Sequence, residues 1–388
     1  MKKLAIITTH PIQYYAPVFR LLAKYLEIKV YYTLGDYSLN MFDHGFKQEI
    51  AWDIPLLDGY EYEFVKNTSK EPGTHHFKGI INPDLNAHLN KFSPNAILVY
   101  GWAYSAHLST LRHFSNQIPI YFRGDSTLLD STDLLKKIFR KLVLTWVYSH
   151  VKKAFYVGTA NKDYFNKFGL KEQQLFFAPH AIENERFFDE GIIDDIGIRQ
   201  DLGLSDKDVL ILFAGKFEQK KDPLLLLEAF FLLNLPHVHL LFVGNGILES
   251  ILKDQVQSRE INRVYFMDFQ NQSKMPAVYQ SCDLFCLPSR GPNETWGLAV
   301  NEAMAAGKAI LVSNVVGCVS DLVKPGVNGE VFQPGNLNAL KQKIEKLTSH
   351  KHELVQMGKA SKELIKNWSF ERQVKAIVDT INADKDAK

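Results

Sequence analysis

A strand, a loop and a helix in residues 283–307 constrain the fold of this chain more than any other stretch. The apolar run Asp283–Leu287 is followed by proline and serine, which is typical of a buried strand leaving a sheet. Leu298–Ala306 is rich in Ala, Met and Glu and stops at Gly307, which predicts a helix with a glycine after its last turn. The segment therefore predicts a strand, a loop and a helix in succession.

The loop and the helix start carry groups that suit a sugar linked to phosphates. Unpaired backbone N–H groups and the positive end of the helix dipole favour a phosphate near Trp296 and Gly297, where glycine allows a close approach. We expect Glu302 to accept hydrogen bonds from ribose hydroxyls and Glu294 from hydroxyls of a sugar beyond the phosphates. The alternative is that both glutamates are solvated surface charges.

This segment resembles the Glu-x7-Glu signature of retaining GT-B glycosyltransferases of family 4. Glu294 and Glu302 occupy the two glutamate positions. The similarity continues through V-V-G at 315–317, D-L-V at 321–323 and G-V-N-G at 326–329. It favours ligand binding over solvation for the two glutamates.

A basic pair after an earlier strand resembles a second element of that family. V-L-I-L-F at 209–213 precedes Lys216, which stands in the usual arginine position, and Lys221. The resemblance implies that both cations hold the donor diphosphate, although lysine lacks the bidentate fork of arginine; the alternative is two surface lysines. The expected donor-binding set is Lys216, Lys221, Gly244, Glu294, Trp296, Gly297, Leu298 and Glu302.

Length and composition indicate two ordinary globular domains. A chain of 388 residues is long enough for two hydrophobic cores, and 46% hydrophobic with 23% charged residues is typical of a soluble protein. A net charge of +2 gives no indication of nucleic-acid binding. Neither a signal peptide nor a membrane-spanning segment is predicted, so we expect a cytoplasmic protein.

Alternating strands and helices predict two α/β domains. In the first half the expected strands are Leu4–Thr9, Glu27–Thr33, Ala96–Tyr100, Ile118–Phe122 and Ala154–Val157, with a helix at Ala16–Tyr25. The predicted division is residues 1–188 for an acceptor-binding domain, 189–206 for a linker and 207–367 for a nucleotide-sugar-binding domain. Residues 368–388 are expected to form a helix that crosses back to the first domain, as in the family.

Three loops that follow strands of the first half carry groups suited to a hydroxylated acceptor. They begin at His10, Gly101 and Arg123, and the carboxyl ends of parallel strands meet at one edge of a sheet. The expected acceptor-binding residues are His10, Gln13, Trp102, Arg123 and Asp125. Trp102 and Tyr104 can stack on a sugar face, Arg123 can bind an anion, and Asp125 can handle a proton. The alternatives are structural roles, including a cap by Asp125 of a helix that begins near Leu128.

Residues 133–153 predict a long amphipathic helix with six Lys or Arg residues. One interpretation is a helix packed on the core with a solvated basic face. The other is peripheral contact with the anionic inner surface of a membrane.

Neither of two D-x-D sequences, at 206–208 and 384–386, predicts a metal site. The first precedes a strand, at the wrong end for a ligand, and the second lies in a charged tail that we expect to be frayed. The G-N-G at 244–246 lacks the third glycine of a dinucleotide fingerprint, because Glu249 stands there. We therefore expect no metal and no cofactor.

The resemblance implies a GT-B fold, with two Rossmann-like domains facing an interdomain cleft. It also implies a metal-independent hexosyltransferase that moves a sugar, with retention, from a UDP-sugar to a hydroxyl of a glycan or lipid-linked acceptor in the assembly of surface polysaccharide or glycoconjugates. The expected catalytic residues are Lys216, Lys221, Glu294 and Asp125. The resemblance implies that Asp125 or Arg123 stands where many relatives carry a catalytic histidine. The alternatives are a nucleotide-sugar 2-epimerase or phosphorylase-like enzyme of the same fold and a non-catalytic sugar-nucleotide-binding subunit.

Overall fold

The computed structural model describes residues 1–36, 42–43, 48–49, 51–129, 134–188, 197–292, 294–385 and 387. The chain divides into two units. The first unit comprises Met1–Met41, Ile54–His180 and Phe370–Lys388, and the second comprises Phe42–Asp53 and Ala181–Ser369.

The first unit is built on a seven-stranded parallel sheet. Across the sheet the strands are β5 (Glu61–Phe64), β2 (Glu27–Tyr32), β1 (Lys3–Thr8), β6 (Ala96–Tyr100), β7 (Ile120–Arg123), β8 (Lys153–Tyr156) and β9 (Leu175–Phe177). The strands β1 and β6 are apolar and almost entirely buried, as expected where helices cover both faces of a sheet. The chain runs from β1 outward to β2 on one side and later to β6 on the other. The carboxyl ends of β1 and β6 therefore flank the topological switch point, where open α/β sheets bind ligands.

Six helices surround this sheet in the described residues. They are α1 (Ala16–Leu22), α2 (Leu85–Phe92), α3 (Ser105–Phe114), α4 (Leu134–Tyr148), α5 (Thr159–Lys167) and α15 (Phe370–Asn382). The last of them packs against α1 and β9, and Lys2 Nζ donates to the carbonyl oxygen of Ile381 at 2.9 Å. The C-terminal helix thus completes the first unit.

The amphipathic helix α4 buries one face and exposes a second apolar face. It is shorter than the predicted 133–153, of which residue 133 lies outside the described part of the chain. Leu144, Val147 and Tyr148 belong to the core of the first unit. The opposite side is not simply a basic surface, because Ile138, Phe139, Leu142 and Trp146 are 61%, 70%, 68% and 45% exposed.

The prediction of a frayed C-terminal tail is wrong for Asp384. This carboxylate is buried and accepts hydrogen bonds from the Tyr121 hydroxyl and from Lys152 Nζ, both at 2.7 Å. Two residues distant in sequence therefore fix the position of Asp384. The local charge pattern could not reveal these contacts. Asp386 lies outside the described residues.

The second unit is built on a six-stranded parallel sheet. Across the sheet the strands are β12 (Val264–Met267), β11 (Val238–Val243), β10 (Val209–Ala214), β13 (Leu284–Leu287), β14 (Ala309–Ser313) and β15 (Gly329–Phe332). A two-stranded antiparallel piece, β3 (Phe42–Asp43) and β4 (Gln48–Glu49), is separate. The helices are α6 (Asn184–Phe188), α7 (Ile198–Asp201), α8 (Pro223–Phe231), α9 (Glu249–Ser258), α10 (Met275–Ser281), α11 (Leu298–Ala305), α12 (Val319–Leu322), α13 (Leu337–Thr348) and α14 (Lys351–Ile365).

The division between the units differs from the sequence-based one at residues 42–53, which belong to the second unit, and at residues 181–206. Asn184 in α6 belongs to the second unit because its side-chain amide donates to the carbonyl oxygens of Ile365 and Trp368. In the predicted linker, residues 189–196 lie outside the described part of the chain. Arg199 in α7 is not a free linker residue, since its guanidinium pairs with Asp283 at 2.9 Å.

Among the described residues, no helix combines the length and the apolar character needed to cross a membrane.

Candidate functional site

The loops after β10 and β13 lie at the switch point of the second sheet. These two strands are neighbours, and the chain continues from β10 to β11 on one side and from β13 to β14 on the other. Lys216 and Lys221 stand on the first loop and Glu294 on the second. The sheet topology therefore places three of the predicted donor residues at the edge where such sheets bind ligands.

Lys221 and Glu294 form a buried salt bridge. Lys221 Nζ lies 2.6 Å from Glu294 Oε2, and the two side chains are 18% and 6% exposed. The Ser289 hydroxyl donates to the same carboxylate oxygen at 3.0 Å. An ammonium group has three N–H donors, so Lys221 can hold Glu294 and an anionic ligand together.

A second pair fastens the same two loops to each other. The Arg290 guanidinium lies 2.8 Å from Asp222 Oδ2, and the backbone N–H of Arg290 donates to the carbonyl oxygen of Lys220 at 2.9 Å. Together with the Lys221–Glu294 pair, these contacts join the two loops.

The start of α11 is pinned by the loop after β14. The N–H groups of Gly317 and Cys318 donate to the carbonyl oxygens of Glu294 and Trp296, each at 3.0 Å. Gly297 precedes the helix with φ +93°, and a Cβ there would lie 2.7 Å from a methyl carbon of Val316. Only glycine suits both the backbone angle and the space.

Two predicted donor residues at this helix are held by other protein groups. The Trp296 indole is buried and donates to Asn301 Oδ1 at 2.9 Å. Glu302 is buried and accepts a hydrogen bond from the Tyr279 hydroxyl at 2.8 Å. Since Glu294 is also buried, the alternative of two solvated surface glutamates is wrong.

Gly244 brings the loop after β11 onto the loop that carries Lys216. It has φ +130°, and a Cβ there would lie 2.2 Å from the carbonyl oxygen of Gly215. The N–H of Phe217 donates to the carbonyl oxygen of Asn245 at 2.9 Å. The structure thus gives Gly244 a packing role beside Lys216, while Leu298 opens α11 beside Gly297.

A cavity of about 160 Å³ lies at the switch point of the first sheet. Two of the predicted acceptor residues, Arg123 and Asp125, line it together with the predicted stacking residue Tyr104. Its lining is Thr8, Thr9, Ile12, Tyr15, Tyr100, Gly101, Tyr104, Arg123, Gly124, Asp125, Val157 and His180.

Arg123 is fixed to the protein backbone. It is 2% exposed, and its Nη1 and Nη2 donate to the carbonyl oxygens of Ala178 and Pro179 at 2.7 and 3.1 Å. Burial lowers the pKa of its guanidinium. These contacts place the cation beside Asp125 and hold the segment that leads to His180 in position.

His10, Gln13 and Trp102 are not in the described lining of this cavity. His10 Nδ1 lies 2.9 Å from the Thr9 hydroxyl. Trp102 is partly buried against the core and its indole hydrogen-bonds to Tyr148, so its stacking on a sugar stays a prediction. The capping role for Asp125 is wrong, since the described residues 126–129 are not helical.

Three residues of this cavity were absent from the sequence-based acceptor set. Burial and the nearby Arg123 cation lower the pKa of His180 to about 3, and burial raises the pKa of Tyr100 to about 12. Burial and the neighbouring Asp125 carboxylate raise the pKa of Tyr15 above its ordinary value. The place of Tyr100 as the last residue of a predicted strand was a usable signal.

Known proteins resemble the chain in sequence over at most about half of its length and in fold over nearly all of it. Residues 194–364 match the model of the family described as glycosyl transferases group 1. The uncharacterized glycosyltransferase MJ1607 of Methanocaldococcus jannaschii is 27% identical over 50% of this chain and 48% of its own length. Mannosylfructose-phosphate synthase of Agrobacterium fabrum is 30% identical over 38% of this chain and 34% of its own length. The matches thus span between about a third and a half of these curated relatives.

Solved structures resemble the chain over its whole length. Alr3699/HepE of Anabaena in complex with UDP has a TM-score of 0.74 at 16% identity, covering 99% of this chain and 100% of that one. The structural neighbours are GT-B glycosyltransferases. The chain therefore has the GT-B fold, and its residues 194–364 match the model of the glycosyl transferases group 1 family.

Proposed function

We propose that the protein transfers a hexosyl unit from a UDP-sugar to a hydroxyl of a glycan or lipid-linked acceptor, with retention at the anomeric carbon, in surface polysaccharide or glycoconjugate assembly. The observation that carries this proposal is the buried Lys221–Glu294 pair at the switch point of the second sheet, inside the family match. A neighbour in fold, HepE, has solved complexes with UDP and with UDP-glucose, which supports the choice of donor.

The donor diphosphate is proposed to lie against Lys216, Lys221 and the start of α11. Charge-assisted hydrogen bonds from two lysines and from backbone N–H groups would stabilise the negative charge on the departing UDP. Glu294, placed beside Lys221, would accept hydrogen bonds from hydroxyls of the hexose. Glu302, held by Tyr279, would face the ribose.

The proposed reaction uses same-face attack. The acceptor oxygen forms a bond to the anomeric carbon while the bond from that carbon to the diphosphate oxygen breaks. The acceptor proton passes to the leaving phosphate oxygen, so no protein nucleophile is needed. In this scheme the lysines do what a metal ion does in other transferases, and we propose that the reaction is metal-independent.

The contacts of the D-x-D residues support this choice. Asp208 lies just before β10, at the amino end of the strand, and accepts from the hydroxyl and the N–H of Ser205 at 2.7 and 2.8 Å. The Asp384 carboxylate accepts hydrogen bonds from the Tyr121 hydroxyl and from Lys152 Nζ.

Asp125 is proposed to orient the acceptor hydroxyl. Its half-buried carboxylate lines the cavity of the first unit, and an ionised carboxylate only accepts hydrogen bonds. An acceptor O–H that donates to Asp125 would present its lone pair for the attack.

We also propose that α4 contacts an anionic membrane surface. Ile138, Leu142 and Trp146 recur at helical spacing on its exposed side, and α4 contains four Lys or Arg residues and no carboxylate. Arg112 lies over the Trp146 ring, with its guanidinium carbon 5.6 Å from the centroid. An exposed apolar stripe among cations has the chemistry of an interfacial helix.

Sedimentation with lipid vesicles tests the membrane contact. The wild type is expected to bind phosphatidylglycerol vesicles more strongly than phosphatidylcholine vesicles, and less at high salt. Leu142→Ser should lower the affinity roughly tenfold, because one buried apolar side chain contributes about 1.5–3 kcal/mol. Val355→Ser, an exposed apolar residue of the second unit, is the matched control. Equal binding to both lipids, or no effect of Leu142→Ser, would refute the contact.

The proposed reaction is tested by following slow hydrolysis of UDP-, GDP- and ADP-hexoses by proton NMR. Retention predicts that the hexose first released has the anomeric configuration of the donor. Glu294→Gln should slow turnover by about a hundredfold while UDP still binds. The opposite anomer would contradict retention, a donor epimerised at C2 would identify the epimerase, and a bound but unreacted donor would indicate a binding subunit.

A further inference from the structure

The cavity of the first unit has room for one six-membered ring. Its volume is about 160 Å³, and engineered cavities of about 150 Å³ bind benzene. Its walls include Tyr15, Tyr100 and Tyr104, and the ring centroids of the first two are 4.8 Å apart. Aromatic walls present apolar faces with a polar tip, which suits the C–H face and the hydroxyls of a sugar or cyclitol ring.

The charged groups of this cavity disfavour an anionic ligand. Arg123 already donates to two backbone carbonyl oxygens, and its charge is opposed by Asp125, which lines the same space. Because the pKa of His180 lies at about 3, its imidazole is neutral at physiological pH and supplies no second cation. A phosphate group placed here would be repelled by the Asp125 carboxylate. The Arg123 guanidinium, which already donates to two backbone carbonyl oxygens, would offset this repulsion only in part.

Tyr100, one of the lining residues, carries a buried hydroxyl with an unmet hydrogen bond. Tyr100 is 6% exposed, and its hydroxyl has no hydrogen-bond partner in the part of the chain that the structure describes. A buried hydroxyl without a partner costs free energy, which a ligand hydroxyl would relieve. A ring with a polar group next to the Tyr100 hydroxyl should therefore bind more tightly than a ring without one.

We propose that this cavity is the acceptor subsite and takes a neutral hydroxylated six-membered ring, with the Tyr100 hydroxyl and Asp125 contacting ring hydroxyls and phosphorylated rings rejected. The proposal rests on the proposed function, since it names the class of acceptor. It sets the chain apart from its relative mannosylfructose-phosphate synthase, whose name indicates a phosphorylated sugar.

The first test compares neutral and phosphorylated rings on UDP-saturated protein by saturation-transfer NMR. The probes are the methyl glycosides of glucose, galactose and mannose, myo-inositol, and glucose 6-phosphate. At least one neutral probe is expected to give signals, and glucose 6-phosphate is expected to give none. Binding of glucose 6-phosphate above every neutral probe, or of no neutral probe at all, would overturn the proposal. UDP binding is measured separately. Absence of UDP binding would contradict the donor part of the proposed function, whereas the probe results test the acceptor subsite.

The second test separates a ligand contact from a structural role. Tyr100→Phe removes the unpartnered hydroxyl alone, so it should weaken the best neutral probe about tenfold while leaving the melting temperature and UDP affinity unchanged. Tyr121→Phe is the matched control, because the hydroxyl of Tyr121 is bonded to buried Asp384. It should lower the melting temperature and leave probe binding intact. If Tyr100→Phe binds the probe as the wild type does, the cavity is not the subsite.

Discussion

The Lys221–Glu294 salt bridge makes a quantitative prediction about stability. Replacing Lys221 with Met keeps the length of the side chain but leaves the Glu294 carboxylate buried with its hydrogen bond from Ser289. Removing one partner of a buried pair costs about 3–5 kcal/mol. Because 18% of the Lys221 side chain remains exposed, we expect the lower end of this range, about 3 kcal/mol.

The assay is a double-mutant cycle measured by urea unfolding without ligand. Lys221→Met, Glu294→Gln and the double variant give the coupling free energy, which should reach about 2 kcal/mol with partial recovery in the double variant. The control is Lys253–Glu249, a 2.7 Å pair on α9 of the same unit whose side chains are 47% and 27% exposed. Lys253→Met should cost only about 0.3–0.5 kcal/mol. A coupling for Lys221–Glu294 as small as that of the control would refute the argument that burial fixes this pair.

Three further predictions address the acceptor site, the pH dependence and the metal. Asp125→Asn should lower the rate of transfer at least tenfold while UDP affinity and melting temperature stay unchanged; an unaltered rate would remove Asp125 from the reaction. The folded-state pKa of His180, about 3, lies below the ordinary value of 6.5, so the unfolded chain binds more protons between these values. Stability should therefore fall as pH falls below about 6.5, by at most about 1.4 kcal/mol per pH unit for this histidine, and His180→Gln should show a shallower slope in urea unfolding; an equal slope in both proteins would contradict the assignment. Transfer should persist in EDTA, and activity that EDTA abolishes and Mg²⁺ or Mn²⁺ restores would overturn the metal-independent scheme.

Much of the fold followed from local pattern, because buried parallel strands are continuous apolar runs. The strand predicted at Ala96–Tyr100 appears with the same bounds as β6, and the helix predicted at Leu298–Ala306 appears as α11, ending one residue earlier. Strand β9 was missed because a strand of three residues, Leu175–Phe177, leaves too short a pattern. Leu175–Phe177 forms a strand through its pairing with β8 rather than through a pattern in its own sequence.

The candidate site was harder to predict where partners are distant in sequence. The position of Lys221 after a strand indicated its place at the sheet edge, but not that its ammonium would pair with Glu294. Trp102 follows β6 as expected, but no local pattern reveals that its indole hydrogen-bonds to Tyr148 on α4, which is distant in sequence. His180 enters the cavity because the chain after β9 is held by Arg123 through two backbone carbonyls.

The central claim is that the second unit binds a nucleoside diphosphate through its lysine pair. Titration calorimetry with UDP, GDP and ADP, each against its own nucleoside, tests this claim most directly. We predict that at least one diphosphate binds more tightly than its nucleoside, and that Lys216→Ala removes about 1.5–3 kcal/mol of that difference, the contribution of a hydrogen bond to a charged group. If no diphosphate binds more tightly than its nucleoside, the lysines do not hold a diphosphate and the donor site proposed for this unit is contradicted.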